Sequence, residues 1–340
     1  MTPSDLLNQD TFLTALYCLT DDLLKVIHAP TRSRRPPTLT DSEVITLAVL
    51  HQWFSPKSER CFIRYARENW HAYFPHLISQ SRYNRRVRNL LRPLAQLTIT
   101  LAEATTRAAA TSEPYSQVLD AAAVPLARFR RGARSKLLAG VADVGRGGSS
   151  RQWYWGVKFE ASVTSAGCIA GFLAGPASTE ERWLAECLFQ WRKNPSAAIP
   201  TAPDLLPTLG PSHRAGGTRK GPTGLLGPNC AAGAVASTVI ADLNYRGRAW
   251  QEHWWRDLGV LVRTKEGLSR EEAGVLSARR QVVESVFSRL TTVFGLHYPR
   301  VRTVSGLHAR LSAKAAAQNA LVHLNTLAGR PTGCTSTPLS

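Results

Sequence analysis

Two stretches decide how the fold of this chain is interpreted: Gln117-Val-Leu-Asp-Ala-Ala-Ala-Val124 and Ala236-Ser-Thr-Val-Ile-Ala-Asp-Leu-Asn-Tyr245. Each is a short apolar run typical of a buried strand, and each leads to a lone aspartate, Asp120 or Asp242. Because sites in open α/β sheets gather at the carboxyl ends of strands, the two aspartates are candidates for one site.

Around these runs, the pattern alternates between strands and helices. Trp153–Ala174 is rich in aromatic and β-branched residues, and Gly167 lies where a hairpin would turn. The order strand, hairpin, helix, strand, helix, strand, helix predicts a mixed sheet flanked by helices. The other predicted elements are helices at 179–191, 248–258, 277–294 and 305–327, a strand at 259–263 and an irregular Pro/Gly-rich insert at about 193–234.

The first third of the chain has helical spacing instead. Thr40 and Glu43 have the spacing of a capping box, which predicts a helix start. We therefore expect an all-α domain at 1–110, an α/β domain at 111–330 and a tail at 331–340.

Arginines cluster on one predicted helix of the first domain, which begins near Ser81. Several of them would share a face. That face could follow a phosphate backbone, or it could be a solvated surface. The arginines are Arg82, Arg85, Arg86, Arg88 and Arg92.

The chain is strongly basic, with 42 Lys and Arg against 24 Asp and Glu and a net charge of +18. This balance predicts a polyanionic partner, nucleic acid first and an anionic membrane second. No apolar run reaches the roughly 18 residues of a spanning helix, and no signal-peptide pattern is present. We expect a cytoplasmic protein that binds nucleic acid and no membrane.

A third carboxylate, Glu284, lies in the helix Arg279-Arg-Gln-Val-Val-Glu-Ser-Val-Phe-Ser-Arg-Leu290. Valines beside it indicate a half-buried position, where an unpaired charge is costly. Its partner could be Arg280, one turn back, or a metal ion. Together with Asp120 and Asp242 it offers the oxygen ligands that Mg²⁺ prefers, and two such ions about 4 Å apart support phosphoryl transfer.

Each carboxylate also has a simpler explanation. Asp120, followed by three alanines, could cap a helix, and Asp242 could be a turn residue. Glu284 could pair with Arg280 alone. In-line attack at phosphorus needs no protein nucleophile, which agrees with a sequence that carries no Ser-His or Cys-His signature.

Six strings together resemble DDE transposases of bacterial insertion sequences, of the insertion-sequence 982 type. They cover about residues 39–90, 116–192 and 236–325, and only their combination is specific. The strings are Leu39-Thr-Asp-Ser-Glu-Val-Ile-Thr-Leu-Ala48, Val118-Leu-Asp-Ala121, Tyr154-Trp-Gly-Val-Lys-Phe159, Gly175-Pro-Ala-Ser178, Ile240-Ala-Asp-Leu-Asn-Tyr-Arg-Gly247 and the Glu284 helix.

The resemblance implies a ribonuclease-H-like catalytic fold, two Mg²⁺ or Mn²⁺ ions, and cleavage and strand transfer at terminal inverted repeats into target DNA. Asp120, Asp242 and Glu284 become the metal ligands, and Arg280 would support Glu284 or contact a phosphate. The resemblance also implies a nucleoid-associated protein whose partner is double-stranded DNA, and since two ends must be paired, we expect a homodimer on those ends. Lys158 could touch a phosphate or be a plain surface residue.

Arg300 and Arg302 are expected to face DNA. Leu243-Asn244 and Thr291 depart from the family's pattern, and the 193–234 insert is unusually long. These departures keep two rival interpretations open: a catalytically decayed or repurposed DNA-binding protein, and a structure-specific nuclease on the same fold.

Overall fold

The computed structural model describes the chain at residues 8–27, 37–54, 58–109, 116–128, 138, 140–147, 152–193 and 238–336. The insert expected at 193–234 therefore lies outside the described residues, apart from Lys193. The last four residues of the expected tail, 337–340, also lie outside them.

Every regular element described between residues 8 and 109 is helical. The predicted capping box is confirmed, since Thr40 Oγ1 accepts from Glu43 N at 3.1 Å and Thr40 N donates to Glu43 Oε2 at 2.6 Å. The helices are α1 (Gln9–Ile27), α2 (Asp41–Leu50), α3 (Glu59–Asn69), α4 (Gln80–Asn89) and α5 (Leu91–Ala108), with a 3₁₀ turn at His51–Phe54.

The rest of the described chain is built on one six-stranded sheet. Its order is β2-β3-β1-β5-β6, and β2 and β4 share one edge of β3. Strand β1 pairs antiparallel with β3 and parallel with β5, and β5 is parallel to β6, so the predicted mixed sheet is confirmed. The strands are β1 (Ser116–Arg128), β2 (Asp143–Gly147), β3 (Gln152–Val163), β4 (Ile169–Pro176), β5 (Thr238–Ile240) and β6 (Leu261–Arg263).

Helices flank both faces of this sheet. Because side chains alternate along a strand, Leu119 of β1 packs with two helices on one face, α6 and α7. Val118 packs with the other two, α8 and α9, on the opposite face. The helices are α6 (Glu181–Lys193), α7 (Arg248–Leu258), α8 (Arg270–Thr292) and α9 (Val304–Leu327).

One apolar cluster joins the N-terminal helices to the sheet. The ring of Trp53 meets Phe12 of α1 edge-to-face at 5.5 Å and Phe294, just after α8, at 5.3 Å. Helix α5 packs along α9 and against β4. The expected domain boundary at residue 110 stays a prediction, and the core is continuous across it.

The course of β1 differs from the prediction in a way that matters for the site. The strand does not end at Asp120 but runs on to Arg128, still paired with β3. Opposite Pro125, a Cβ on Gly156 would lie 2.1 Å from the carbonyl oxygen of Val124, so only glycine permits this close approach. Because Ala121–Ala123 belong to the strand, the sequence alternative in which Asp120 caps a helix is wrong.

Two predicted helix bounds were wrong. Helix α8 begins at Arg270 instead of Ser277, because Ser269 and Glu272 form a second capping box. Helix α4 ends at Asn89, which places Arg92 in α5. Strand β2, whose sequence Asp-Val-Gly-Arg-Gly has no clear alternation, was not predicted.

No helix in the described part of the chain combines the length and the apolar character that a membrane crossing requires. The cysteines described are free thiols: Cys168 and Cys187 are buried, Cys334 is partly buried, and Cys18 and Cys61 are exposed.

Candidate metal centre

Asp120 lies within β1, and Asp242 lies two residues beyond the end of β5, the parallel strand beside it. The parallel register of β1 and β5 pairs Val118 with Ile240, an offset of 122 residues, and Asp242 follows Asp120 by the same 122. Each aspartate is two residues beyond that pair. Asp120 alternates with Val118 toward the α8 face of β1, and Arg280 of α8 influences the pKa of both aspartates, so Asp242 also lies on that side. Neighbouring strands are about 4.8 Å apart, which brings the two carboxylates together.

Asp120 lies on β1 just past the point where the pairing with β5 ends. Its Oδ1 accepts from Ala121 N at 2.8 Å, and its Oδ2 lies 3.4 Å from Arg280 Nη2. Burial raises the pKa of Asp120 to about 6, and the negative charges of Asp242 and Glu181 add to this rise, against the hydrogen bond from Ala121 and the charge of Arg280. The positive charge near the Asp120 carboxylate is therefore too small to offset its burial and its negatively charged neighbours.

Asp242 begins the 3₁₀ turn Leu243–Tyr245 and caps it. Its Oδ1 accepts from Asn244 N at 2.7 Å, which fixes the side chain beside the end of β5. Burial raises the pKa of Asp242, and the charge of Glu181 raises it further. No hydrogen bond from a described residue occupies its second oxygen.

A third carboxylate near this pair, Glu181, was missed by sequence reasoning. It lies in the first turn of α6, accepts from Asn244 Nδ2 at 2.9 Å and pairs with Lys158 Nζ at 3.2 Å. Its charge raises the pKa of both aspartates. The available signal was Glu180-Glu181 at a predicted helix start, where carboxylates commonly lie for reasons of helix stability alone.

Lys158 is a structural bridge rather than a surface lysine. Its side chain is half-buried, and Nζ donates to the carbonyl oxygen of Thr179 at 2.9 Å as well as to Glu181. Both contacts tie β3 to the start of α6. A phosphate contact by Lys158, one of the two expected alternatives, would have to compete with them.

Arg280 is the part of α8 that meets the aspartate pair. It approaches Asp120, and not Glu284 as one sequence alternative proposed. Arg280 lowers the pKa of both Asp120 and Asp242. The guanidinium therefore supplies part of the positive charge that the two carboxylates need.

Glu284 is exposed, so the expected half-buried position is wrong. The reason is the helical rotation: Val283, Val286 and Leu290 are the buried positions of this part of α8, and Glu284 is turned away from them. Glu284 nevertheless follows Arg280 by four residues and shares its side of the helix. Among the described residues, no three His, Cys, Asp or Glu side chains are close enough to form a complete metal-ligand group.

A buried pair anchors the loop that carries Asp242. Tyr245 OH donates to Glu160 Oε1 at 2.7 Å, and both side chains are fully buried. Glu160 Oε2 accepts no hydrogen bond from the described part of the chain, and burial raises the pKa of Glu160 well above its usual range. The carboxyl is therefore held toward its neutral form beneath the site.

The arginines of α4 do not act as one face. Arg82 and Arg85 are exposed. Arg86 is half-buried and holds Asp41 and the carbonyl oxygen of Leu39 in an internal ion pair, so its expected DNA contact would break that pair. The Arg86 guanidinium thus stabilises the entry to α2.

Three other arginines expected to contact DNA lie together elsewhere. Arg88 turns toward α9 and lines a cavity, and exposed Arg300 and Arg302 line the same cavity. Sequence reasoning had not connected Arg88 with the other two, because α4 and the segment after α8 are separated by about 200 residues of chain.

The residues present fit a divalent cation on chemical grounds. Two aspartates with raised pKa values share one face, and Glu181 adds negative charge beside them. Hard cations such as Mg²⁺ and Mn²⁺ bind oxygen ligands and keep several waters, so two carboxylates can suffice when substrate phosphates complete the shell.

In comparisons with known proteins, the chain matches no family model, no curated protein and no solved structure.

Proposed function

We propose that this chain is a DDE-type transposase, which cleaves DNA at the inverted-repeat ends of an insertion sequence and joins those ends to target DNA. The observation that carries the proposal is the parallel pairing of β1 with β5, in which Val118 is opposite Ile240 and each is followed two residues later by an aspartate, Asp120 or Asp242. It brings together two carboxylates that are 122 residues apart in the sequence and leaves both short of positive charge.

The fold supports the same assignment. Antiparallel strands β4, β3 and β1 continue into parallel strands β5 and β6, with helices on both faces, which suits a ribonuclease-H-like domain. The net charge of +18 suits a DNA substrate, since cationic side chains replace counterions along the phosphate backbone.

In this proposal, the chain's own residues bind and orient the reactants. Asp120 and Asp242 would hold the metal ions, and Glu284 would be the third ligand after a side-chain rotation from its exposed position. Arg280 keeps Asp120 in place and faces the scissile phosphate. A bound Mg²⁺ or Mn²⁺ pair would activate the attacking oxygen and stabilise the leaving one.

The reaction is an in-line displacement at phosphorus. A water oxygen bonds to phosphorus as the bond between phosphorus and the 3′-oxygen breaks. The 3′-oxygen takes up a proton and becomes a 3′-hydroxyl, and the phosphate stays on the 5′ side of the cut. That hydroxyl then attacks a phosphate of the target strand and displaces its 3′-oxygen. No protein nucleophile is required.

The test uses a plasmid that carries the element's own gene with its flanking DNA. Wild-type protein with Mg²⁺ or Mn²⁺ should cut at the element ends and give joined products, and Asp120→Asn should bind the plasmid without cutting it. Retained cutting by Asp120→Asn would contradict the proposal. Binding without metal-dependent cutting by the wild type would support a decayed DNA-binding protein, and cutting without joining would support a nuclease.

A further inference from the structure

A cavity of about 420 Å³ lies between the N-terminal helices and the last helix, away from the aspartate pair. Its walls are α3 and α4 on one side, and the N-terminal half of α9 with residues 295–303 on the other. Tyr298 of this segment donates from its backbone N to the Pro125 carbonyl oxygen at 2.8 Å. Pro125 follows Asp120 by five residues of β1, about 17 Å at the usual strand rise.

The cavity lining is strongly cationic. One carboxylate, Glu59, faces the cations, and its oxygens are already occupied by Gln80, Asn84 and Arg310 at 2.6 to 3.0 Å. Little negative charge therefore remains for the other cations. The six described cationic side chains of the lining are Arg60, Arg88, Arg300, Arg302, Arg310 and Lys314.

Lys314 is the most deeply buried of these six cations, so a bound anion would stabilise its charge most. Its side chain is 3% exposed, and Nζ donates to Gln52 Oε1 at 3.0 Å and to the carbonyl oxygen of Phe294. Among the described residues it pairs with no carboxylate. Burial and the charge of Arg310 together lower the pKa of Lys314 to about 7.

Arg88 is the second lining cation that a bound anion would stabilise, because its hydrogen bonding is incomplete. Its Nε atom is buried in the cavity wall and has no hydrogen-bond partner among the residues that the structure describes. A buried polar nitrogen without a partner is costly, so an acceptor from a ligand would be favourable there.

Backbone strain accompanies the rim of the cavity. Tyr298 and Arg300 have positive φ values, 54° and 53°, which side chains other than glycine rarely adopt. Such strain persists where the surrounding structure holds it, often at ligand sites. Here it shapes the short segment that presents Arg300 and Arg302.

We propose that this cavity binds a phosphate group through Arg88, Lys314 and the rim arginines. Guanidinium forks match the paired oxygens of a phosphate, which a monatomic halide lacks, and several guanidinium groups converge here. The volume also admits a sugar or a base attached to the phosphate. This site goes beyond the proposed cleavage reaction, because phosphate binding at this distance needs neither aspartate nor a metal ion.

The experiment is calorimetric titration of the full chain with inorganic phosphate, dAMP and a short DNA duplex, in chloride buffer without divalent metal. Two variants on the same helix are compared: Arg88→Gln, in the cavity wall, and Arg85→Gln, exposed and outside the lining. Arg300→Gln at the exposed rim is a further variant with little risk to folding. Melting curves check that each variant is folded.

Phosphate should bind the wild type at one site, and Arg88→Gln should weaken it about tenfold, the effect of one lost charged hydrogen bond. Arg300→Gln should weaken it less, and Arg85→Gln should leave it unchanged. Tighter binding of dAMP than of phosphate would assign a free nucleotide as the source. Displacement of phosphate by duplex, with weak dAMP binding, would assign a nucleic-acid backbone.

The absence of saturable phosphate binding by the wild type would overturn the inference. So would equal weakening by Arg85→Gln and Arg88→Gln, since this would show only a general charge effect. Asp120→Asn should bind phosphate as the wild type does, so failure of the cleavage proposal and failure of this one are distinguishable.

Discussion

The aspartate pair and the cationic cavity both bury charge without enough opposite charge nearby, negative at the pair and positive in the cavity. At the pair, burial and neighbouring carboxylates raise the pKa of Asp120 to about 6. In the cavity, burial and a neighbouring arginine lower the pKa of Lys314 to about 7. Because unbalanced buried charge is costly, each region is arranged for a counterion that the chain itself does not supply.

The two counterions differ in sign, and that difference gives each region its proposed role. A divalent cation would offset the carboxylates of Asp120 and Asp242, and a phosphate would offset Lys314 and Arg88. Nucleic acid with bound metal supplies both. If either region were merely a solvated surface, changing its charges would have small effects on stability and binding.

The largest expected effect is loss of cleavage on changing the less buried aspartate. Asp242→Asn keeps the size of the side chain but removes the charge beside Asp120, so cleavage should fall by roughly 10³-fold or more. Quantified nicking of plasmid DNA with Mn²⁺ measures this. Asp22→Asn, an exposed helix substitution distant in sequence, is the control and should cut normally.

The next effect is a gain in stability where activity is lost. Native Asp120 binds its proton up to about pH 6 and the unfolded chain only to about 3.8. Stability therefore falls as pH rises through this window and stays lower above it. Asp120→Asn should then be more stable than wild type at pH 7 by about 1–3 kcal/mol, measured by urea unfolding without metal.

An equal or lower stability of Asp120→Asn at pH 7 would mean that Arg280 already balances the charge. With Mg²⁺ present, the advantage of the variant should shrink, because the ion stabilises only the wild-type native state.

These expectations depend on what sequence can and cannot specify. The proximity of Asp120 and Asp242 was predictable in kind, because two apolar strands that each lead to a carboxylate can bring these side chains together when the strands are neighbours. The continuation of β1 past Asp120 was not, because three alanines carry no strand signal and the pairing with β3 is a long-range contact.

The partners of the charged residues were the least predictable part. Arg86 was expected to contact DNA, yet it pairs with Asp41, which is 45 residues away. Glu181 gave only a helix-start signal, and the exposure of Glu284 follows from which side of α8 packs on the sheet. Ion pairs depend on tertiary packing, which local patterns do not encode.

The cavity gives a pH dependence of opposite sign. Native Lys314 loses its proton near pH 7 and the unfolded chain near 10.5, so between these values the unfolded state binds more protons. Stability should therefore rise with pH in this window. In Lys314→Met the rise from pH 7 to 9 should be smaller than in the wild type by roughly 2 kcal/mol. If the stabilities of the two proteins changed equally with pH, a lowered pKa of the buried Lys314 would be contradicted.

The smallest expected effect concerns the exposed arginines of α4. Arg82→Gln with Arg85→Gln removes two side chains that hold no described internal ion pair. If both touch phosphates, the slope of log affinity against log salt should flatten by up to about 2 for duplex DNA. Anisotropy titrations at several salt concentrations measure the slope, and an unchanged slope would identify this face as solvated surface.

The central claim is that Asp120 and Asp242 act together as a cation site. Titration with Mn²⁺, with the free ion followed by its paramagnetic resonance signal, tests it without DNA or turnover. The account predicts saturable binding by the wild type that is lost or greatly weakened in both Asp120→Asn and Asp242→Asn, and kept in Asp22→Asn. Unchanged Mn²⁺ binding by either site variant would contradict it.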